Sequence, residues 1–407
     1  MVVYSALKGK GLSFLTLMWA LWFFIMLVRT TIGPILPFVE DEFHVSHATA
    51  AMLASLFAFG AALSTFVSGL ASGRIGYKRT VLLCLGSCIA TFVLIAHVRT
   101  FWQMTCLVFL FGAVWGSYFP CVLPIITSHF APAVWGRALA IQDTGASLSV
   151  LCAPLLVTLM VKFLSWRQFF YVYGGIYFIS GVLFFLFTKE VKVEKRQKGP
   201  IGGLVRNRSL WLLGVIWVFA TGAFMGLYQI IPLYFTKELL FDAQYANTIF
   251  GLSKIGGVIF GVTMGFVADR FDPKKSMFIV LCIVGFFTVF IGYPNATIVQ
   301  VALFLQGTVI MGFFTVGLIM MSRIFAMEER GMASGIIATM GAIFGAGMTP
   351  YLFGLAGDHL SFRVGIFAFG ILVFLSSGLI YFVKVPERQS TVAVQSARES
   401  SGSTDRE

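Results

Sequence analysis

Twelve stretches of this chain, each long enough for a helix to cross a bilayer and nearly free of charge, follow one another with only short polar breaks. A helix rises 1.5 Å per residue, so about 20 apolar residues traverse the hydrocarbon layer. Inside that layer every backbone N–H and C=O must be satisfied within the protein, which leaves helices or a closed barrel. The runs are of helix length and predict spans near 12–37, 48–71, 80–98, 102–128, 138–161, 169–188, 209–235, 244–267, 276–294, 297–325, 332–355 and 364–384. Composition requires the same solvent. Of 407 residues 58% are hydrophobic and 11% charged, whereas a soluble domain carries roughly 25% charged. The expected fold is an all-α polytopic membrane protein of twelve transmembrane helices.

The Lys and Arg residues sort by loop: 22 fall in one set of connections and termini, and five (Arg99, Lys162, Arg167, Lys237, Arg363) in the other. The richer side is expected to be cytoplasmic, which puts both termini there and the protein in a plasma or bacterial inner membrane. The net charge of +12 thus reports topology, and no nucleic-acid partner is implied because the basic residues gather on no single face or arm. The apolar run from Leu12 to Val39 has no small-residue cleavage site and is read as a retained first span. All six Cys lie in apolar runs without a C-x-x-C pair, so neither a disulfide framework nor a zinc site is expected. The one long basic interruption divides the chain into an N-terminal six-helix half (1–188), a linker (189–208) and a C-terminal six-helix half (209–385). The Ser-, Arg- and Glu-rich segment 386–407 is expected to be a disordered cytoplasmic tail.

Sliding the chain along itself by 195 or 196 residues aligns the two halves in parallel. Gly69, Arg74, Lys78 and Arg79 fall on Gly265, Arg270, Lys274 and Lys275; Pro154 falls on Pro350; and Leu164-Ser165-Trp166-Arg167 falls on Leu360-Ser361-Phe362-Arg363. The loop GFVADRFDPKK, Gly265 to Lys275, and its counterpart GLASGRIGYKR, Gly69 to Arg79, resemble the loops that mark the major facilitator superfamily. The second half keeps the family's pattern as Gly265, Asp269, Arg270, Lys274 and Lys275, whereas Gly73 stands where the first half would carry the Asp. The family's fifth-span motif is present only in altered form, as Gly145, Ser149, Ala153 and Pro154. The Arg that many members carry early in span four is replaced by apolar residues around Val108 and Phe109.

This resemblance implies two six-helix bundles that enclose a central solute site, with spans 1, 2, 4, 5, 7, 8, 10 and 11 around it and 3, 6, 9 and 12 toward lipid. It also implies a conformational latch built from Gly69, Arg74, Arg79, Gly265, Asp269, Arg270 and Lys274, and a monomer.

Within the spans ionisable residues are rare, and each is a functional hypothesis because an Arg at the centre of an inserted helix costs at least about 2.5 kcal/mol. Arg29 lies in the first span, too deep to snorkel, and Lys254 lies near the middle of the eighth. The structural alternatives are an Arg tied to backbone carbonyls and a Lys paired with Asp143. Asp143 is the one acid inside these span boundaries, which makes it the candidate for proton coupling, with a partner role for Arg137 or Lys254 as its alternative. Tyr118, Tyr228, Gln229, Asn247 and Gln306 are the polar and aromatic candidates for solute contact. Asn247 and Lys254 are seven apart, two turns along one helical face. Pro232, just after Tyr228 and Gln229, is the expected break in the seventh span.

Two cations against one acid favour a small organic anion, carboxylate-like, carried by alternating access, with a proton as the one coupling ion and no other cofactor or metal. Export of an amphipathic drug-like or lipid-like compound is the rival in the same fold, and a receptor that binds a solute without moving it is the rival of another class. An enzyme is not expected: His44, His47, His97, His129 and His359 lie mostly at span ends and form no H-E-x-x-H motif.

Overall fold

The computed structural model describes Tyr4 and residues 7–190, 201–260, 271–325 and 329–384, without the side chains of residues 66–71, 73, 74, 201 and 202. The described chain is helical throughout, with one isolated bridge between Tyr4 and Phe130. Eleven helices are long and apolar enough to cross a membrane. They are α1 (Lys10–Phe43), α2 (His47–Ile75), α3 (Tyr77–Ala96), α4 (Phe101–His129), α5 (Pro132–Met160), α6 (Trp166–Phe187), α7 (Arg208–Lys237), α9 (Pro273–Ile291), α10 (Ala296–Ile324), α11 (Arg330–His359) and α12 (Phe362–Phe382). The remaining span, α8, starts as Ala243–Leu252 and resumes at 255–260 after a turn at Ser253 and Lys254. The expected twelve-helix layout is present. Residues 191–200 of the linker and the whole of segment 386–407 lie outside the described residues; the rest of the linker includes a short helix, Ile201–Val205, ahead of α7.

Buried side chains fall into one cluster drawn from residues 14–184, a second from 204–383, and a third that joins the far ends of α7, α8 and α10 to Ala51 and Val150. In the first half α1 packs on α5, α2 on α4 and α3 on α6; in the second, α7 packs on α11 and α9 on α12. Repeat-equivalent contacts pin equivalent corners. Glu42, at the end of α1, accepts from Trp166 Nε1 at 2.6 Å and pairs with Arg167. Its equivalent Glu238, at the end of α7, accepts from Phe362 N–H at 2.6 Å and pairs with Arg363 at 3.2 Å. At the other membrane face Lys78 Nζ donates to Phe185 O at 2.8 Å, and Lys274 Nζ donates to Tyr381 O and Val383 O at 3.1 and 3.0 Å. Each lysine satisfies carbonyls left free at the end of a helix.

α1 and α7 differ from expectation. α1 continues through Pro34 and Pro37 to Phe43, so Glu40, Asp41 and Glu42 join Asp143 as acids within helices of the span set. Prolines are tolerated in such helices where neighbouring segments and side chains take up the freed backbone groups. In α7 the irregularity is a π-helical stretch, Gly222–Gly226, and Pro232 lies inside regular helix. A second π stretch, Gly341–Met348 in α11, packs against the first, and Thr221 Oγ1 donates across to Gly341 O at 2.9 Å.

Candidate functional site

The two halves meet at the membrane face away from the chain termini. Hydrogen bonds, ion pairs and a ring contact join described residues of the two halves toward that opposite face. The seam has three parts. Along its centre α1 faces α7, its own repeat equivalent, and position 33 meets position 229: a Cβ on Gly33 would lie 2.7 Å from Gln229 Oε1. On one flank α5 meets α8, with Tyr228 from α7 alongside. Tyr228 Oη donates to Val150 O at 3.1 Å and Asn247 Nδ2 to Pro34 O at 3.3 Å. On the other flank α2 meets α11, where a Cβ on Gly354 would lie 2.6 Å from Ala48 Cα.

Directly beneath this seam each half contributes one cation. Arg29 lies one turn below Gly33 on the same side of α1, and its side chain packs on rings of its own half. Its guanidinium lies over the Trp115 ring at 4.9 Å and near Phe57 at 5.9 Å. Lys254 sits at the break in α8, only 6% exposed, with its ammonium 4.8 Å from the Phe250 ring and 5.7 Å from Tyr228. Among the described residues neither cation has a carboxylate or hydrogen-bond partner. Aromatic faces attract a cation by roughly 0.5–2 kcal/mol, which positions it without neutralising it. Among the described residues both therefore keep their side-chain donors free of any acceptor. The alternative reading, a pairing of Lys254 with Asp143, is not seen among the described ion pairs.

Asp143 lies on α5 two turns below Val150 and on the same side, exposed and without an ion pair among the described residues. Its neighbour Gln142 turns the other way and donates to Met18 O at 3.0 Å. Tyr118 is fully buried and stacks on Trp22 at 5.6 Å, and Trp22 in turn stacks on Trp115 under Arg29. Gln306 donates to Ala223 O at 2.8 Å, taking up a carbonyl of the π stretch in α7. The structure thus gathers Arg29, Lys254, Tyr228, Gln229 and Asn247 around the seam and seats Tyr118 and Gln306 within the separate halves. Asn247 and Lys254 do not share one continuous helix as expected: Lys254 N–H bonds to Gly251 O, three residues back, in the turn that separates the two segments of α8.

Among the latch residues, Gly265, Asp269 and Arg270 lie outside the described residues, as do the side chains around Gly69 and Arg74. Arg79 is exposed, and Lys274 is engaged by the end of α12 within its own half. The aromatic beds of Trp115, Trp22 and Phe250 went unnoticed in the sequence, although Trp22 precedes Arg29 by seven residues and Phe250 precedes Lys254 by four.

A family model described as Major Facilitator Superfamily matches residues 18–260 and 230–404. Multidrug resistance protein MdtG of Proteus mirabilis (strain HI4320) is 26% identical over 185 residues, 44% of this chain and 45% of that protein. Probable anion transporter 7 of Oryza sativa subsp. japonica is 24% identical over 352 residues, 76% of this chain and 80% of that one. A solved bacterial homologue of the human lysosomal transporter Spinster, inward-facing and unoccupied, aligns with a TM-score of 0.78 at 13% identity, covering 92% of this chain and 97% of its own. That structural likeness shows the fold alone, and the two sequence relatives carry names that point to different cargo. The family model spans nearly the whole sequence and the helices assemble as in that solved structure, so the chain belongs to the Major Facilitator Superfamily of transporters.

Proposed function

We propose that the protein carries a small organic anion, carboxylate-like, by alternating access. The anion is held between Arg29 of one half and Lys254 of the other. One observation supports this reading above the rest: each half carries one cation in a span that packs along the seam, and neither has a counter-ion among the described residues. A carboxylate between them gains charge-assisted hydrogen bonds from both sides. It also removes the repulsion that would resist bringing the halves together around an empty site. With the termini facing the cytoplasm, as the loop charges imply, the seam described above closes the outer face. Asp143, exposed on the approach to the site, is the group that takes up and releases a coupling proton. The relative named as an anion transporter is consistent with this cargo, while the pair of cations disfavours a cationic amphiphile.

Counterflow into sealed proteoliposomes tests the reading, using a panel of small carboxylates, sulfonates and phosphorylated anions at equal pH and across a pH gradient. Uptake of at least one anion is expected, with an imposed gradient stimulating the wild type and leaving Asp143→Asn unmoved. Uptake of an apolar compound while every anion stays out would assign the protein to amphiphile export. A solute that binds and shows no flux would make it a receptor.

A further inference from the structure

At the opposite face the first turn of α2 is capped from the other half of the molecule. The N–H groups of His47 and Ala48 donate to Oδ1 and Oδ2 of Asp358, near the end of α11, at 2.8 and 3.0 Å. α2 has its own N-cap residue, Ser46, whose hydroxyl accepts from one backbone amide, Thr49 N–H, at 3.3 Å and also meets Thr49 Oγ1 at 3.1 Å and the Asp358 carboxylate. The repeat supplies an internal comparison, because an offset of 196 places Asp242 on Ser46, Gln244 on Ala48 and Lys162 on Asp358. There, α8 is capped by its own Asp242, which accepts from Gln244 and Tyr245 at 2.9 and 3.3 Å. The neighbouring helix of the other half adds only Thr158 Oγ1 donating to Gln244 O at 3.4 Å.

Two equivalent junctions are thus capped differently, one in cis and one in trans. A carboxylate at a helix N-terminus satisfies orphan amides and meets the positive end of the helix dipole wherever it is attached. Attachment to the other half adds something that a cis cap lacks: the interaction exists only while the seam is shut. We propose that Asp358 is a clasp on the transport cycle, a positioning residue that holds the opposite face closed and lets go when that face opens. A second contact stands beside it. Lys237, at the end of α7, pairs with Asp41 and lies 3.3 Å from Glu40, which is buried and also accepts from His47 Nδ1 at 2.9 Å. The clasp rests on the alternating-access reading. The measurement below needs no solute, so the clasp can fail while flux stands, and flux can fail while the clasp stands.

The test is a distance across the opposite face in full-length, cysteine-free protein in proteoliposomes, with spin labels at Phe163→Cys and Leu240→Cys. These are exposed loop residues of different halves, 79% and 82% accessible. The wild type is expected to favour the short distance, and Asp358→Ala to raise the ratio of long to short about tenfold, the worth of a good cap. Adding Ser46→Asp to Asp358→Ala puts the cap back on its own half. That double variant is expected to recover thermal stability and keep the lengthened distance, and it carries the measurement if the single variant folds poorly. An unchanged distance in Asp358→Ala overturns the proposal, and so does recovery of the short distance together with stability in the double variant, because Asp358 would then be a helix cap and nothing more.

Discussion

Lys254→Ala is expected to cut anion counterflow by about a hundredfold, and Arg29→Ala to cut it comparably, with both variants still inserted and monodisperse in detergent. The magnitude follows from what is removed. Truncating one partner of a buried, hydrogen-bonded charge pair costs roughly 2–5 kcal/mol, and about 3 kcal/mol is a factor of a hundred. Neither cation supports the apo fold through an ion pair among the described residues, so the loss should appear in flux and solute affinity and leave thermal stability nearly unchanged. Lys254→Arg separates charge from shape. It keeps the cation but adds bulk beside Gly307, where a Cβ would already lie 3.4 Å from Nζ, so partial uptake with weakened affinity is expected. Wild-type uptake in Lys254→Ala would remove the residue from the site and with it the reading of an anion held between the halves.

The second large effect is steric. Gly354→Val should reduce flux by a similar factor, because the seam closes with backbone against backbone at this position: a Cβ there would come within 2.6 Å of Ala48 Cα and 2.8 Å of His47 O. Neither neighbour is the tip of a flexible side chain that could swing aside. Overpacking of this kind costs roughly 1–3 kcal/mol, all of it charged to the closed seam. The opened state pays nothing, so the population moves away from closure and turnover stalls. The repeat equivalent, Thr158, already carries a β-branched side chain against α8, so the two flanks differ in tightness. Transport by Gly354→Val at the wild-type rate would show that this flank need not shut for solute to cross.

The spans were readable in the sequence because lipid imposes one rule on all of them, that of apolar length and satisfied backbone. Arg29 and Lys254 stood out for the same reason, since a charge in such a helix is costly wherever it points. What could not be read was direction. Tyr118, Tyr228 and Gln306 look alike as polar residues in apolar runs, yet one stacks within the first half, one reaches across the seam and one serves a π stretch. The break expected at Pro232 was misplaced because a proline removes a single N–H, which surrounding helices can absorb, whereas the distortion at Gly222–Gly226 depends on the close fit of α11 against it. Asp358 carried no local signal at all, because the amides it caps lie 310 and 311 residues away.

At the pseudo-twofold axis a residue confronts its own copy, and in a freshly duplicated chain the two would be identical. Here position 41 is Asp and its copy, position 237, is Lys, and the two are in contact. Position 33 is Gly and its copy, 229, is Gln, which fills the space the glycine leaves. A pair of identical N-terminal halves would set acid against acid and leave a hole between two glycines; a pair of C-terminal halves would set lysine against lysine and crowd two glutamines. The axis therefore works as a mating code: at these two positions each half is complementary to its sibling and poorly matched to a copy of itself.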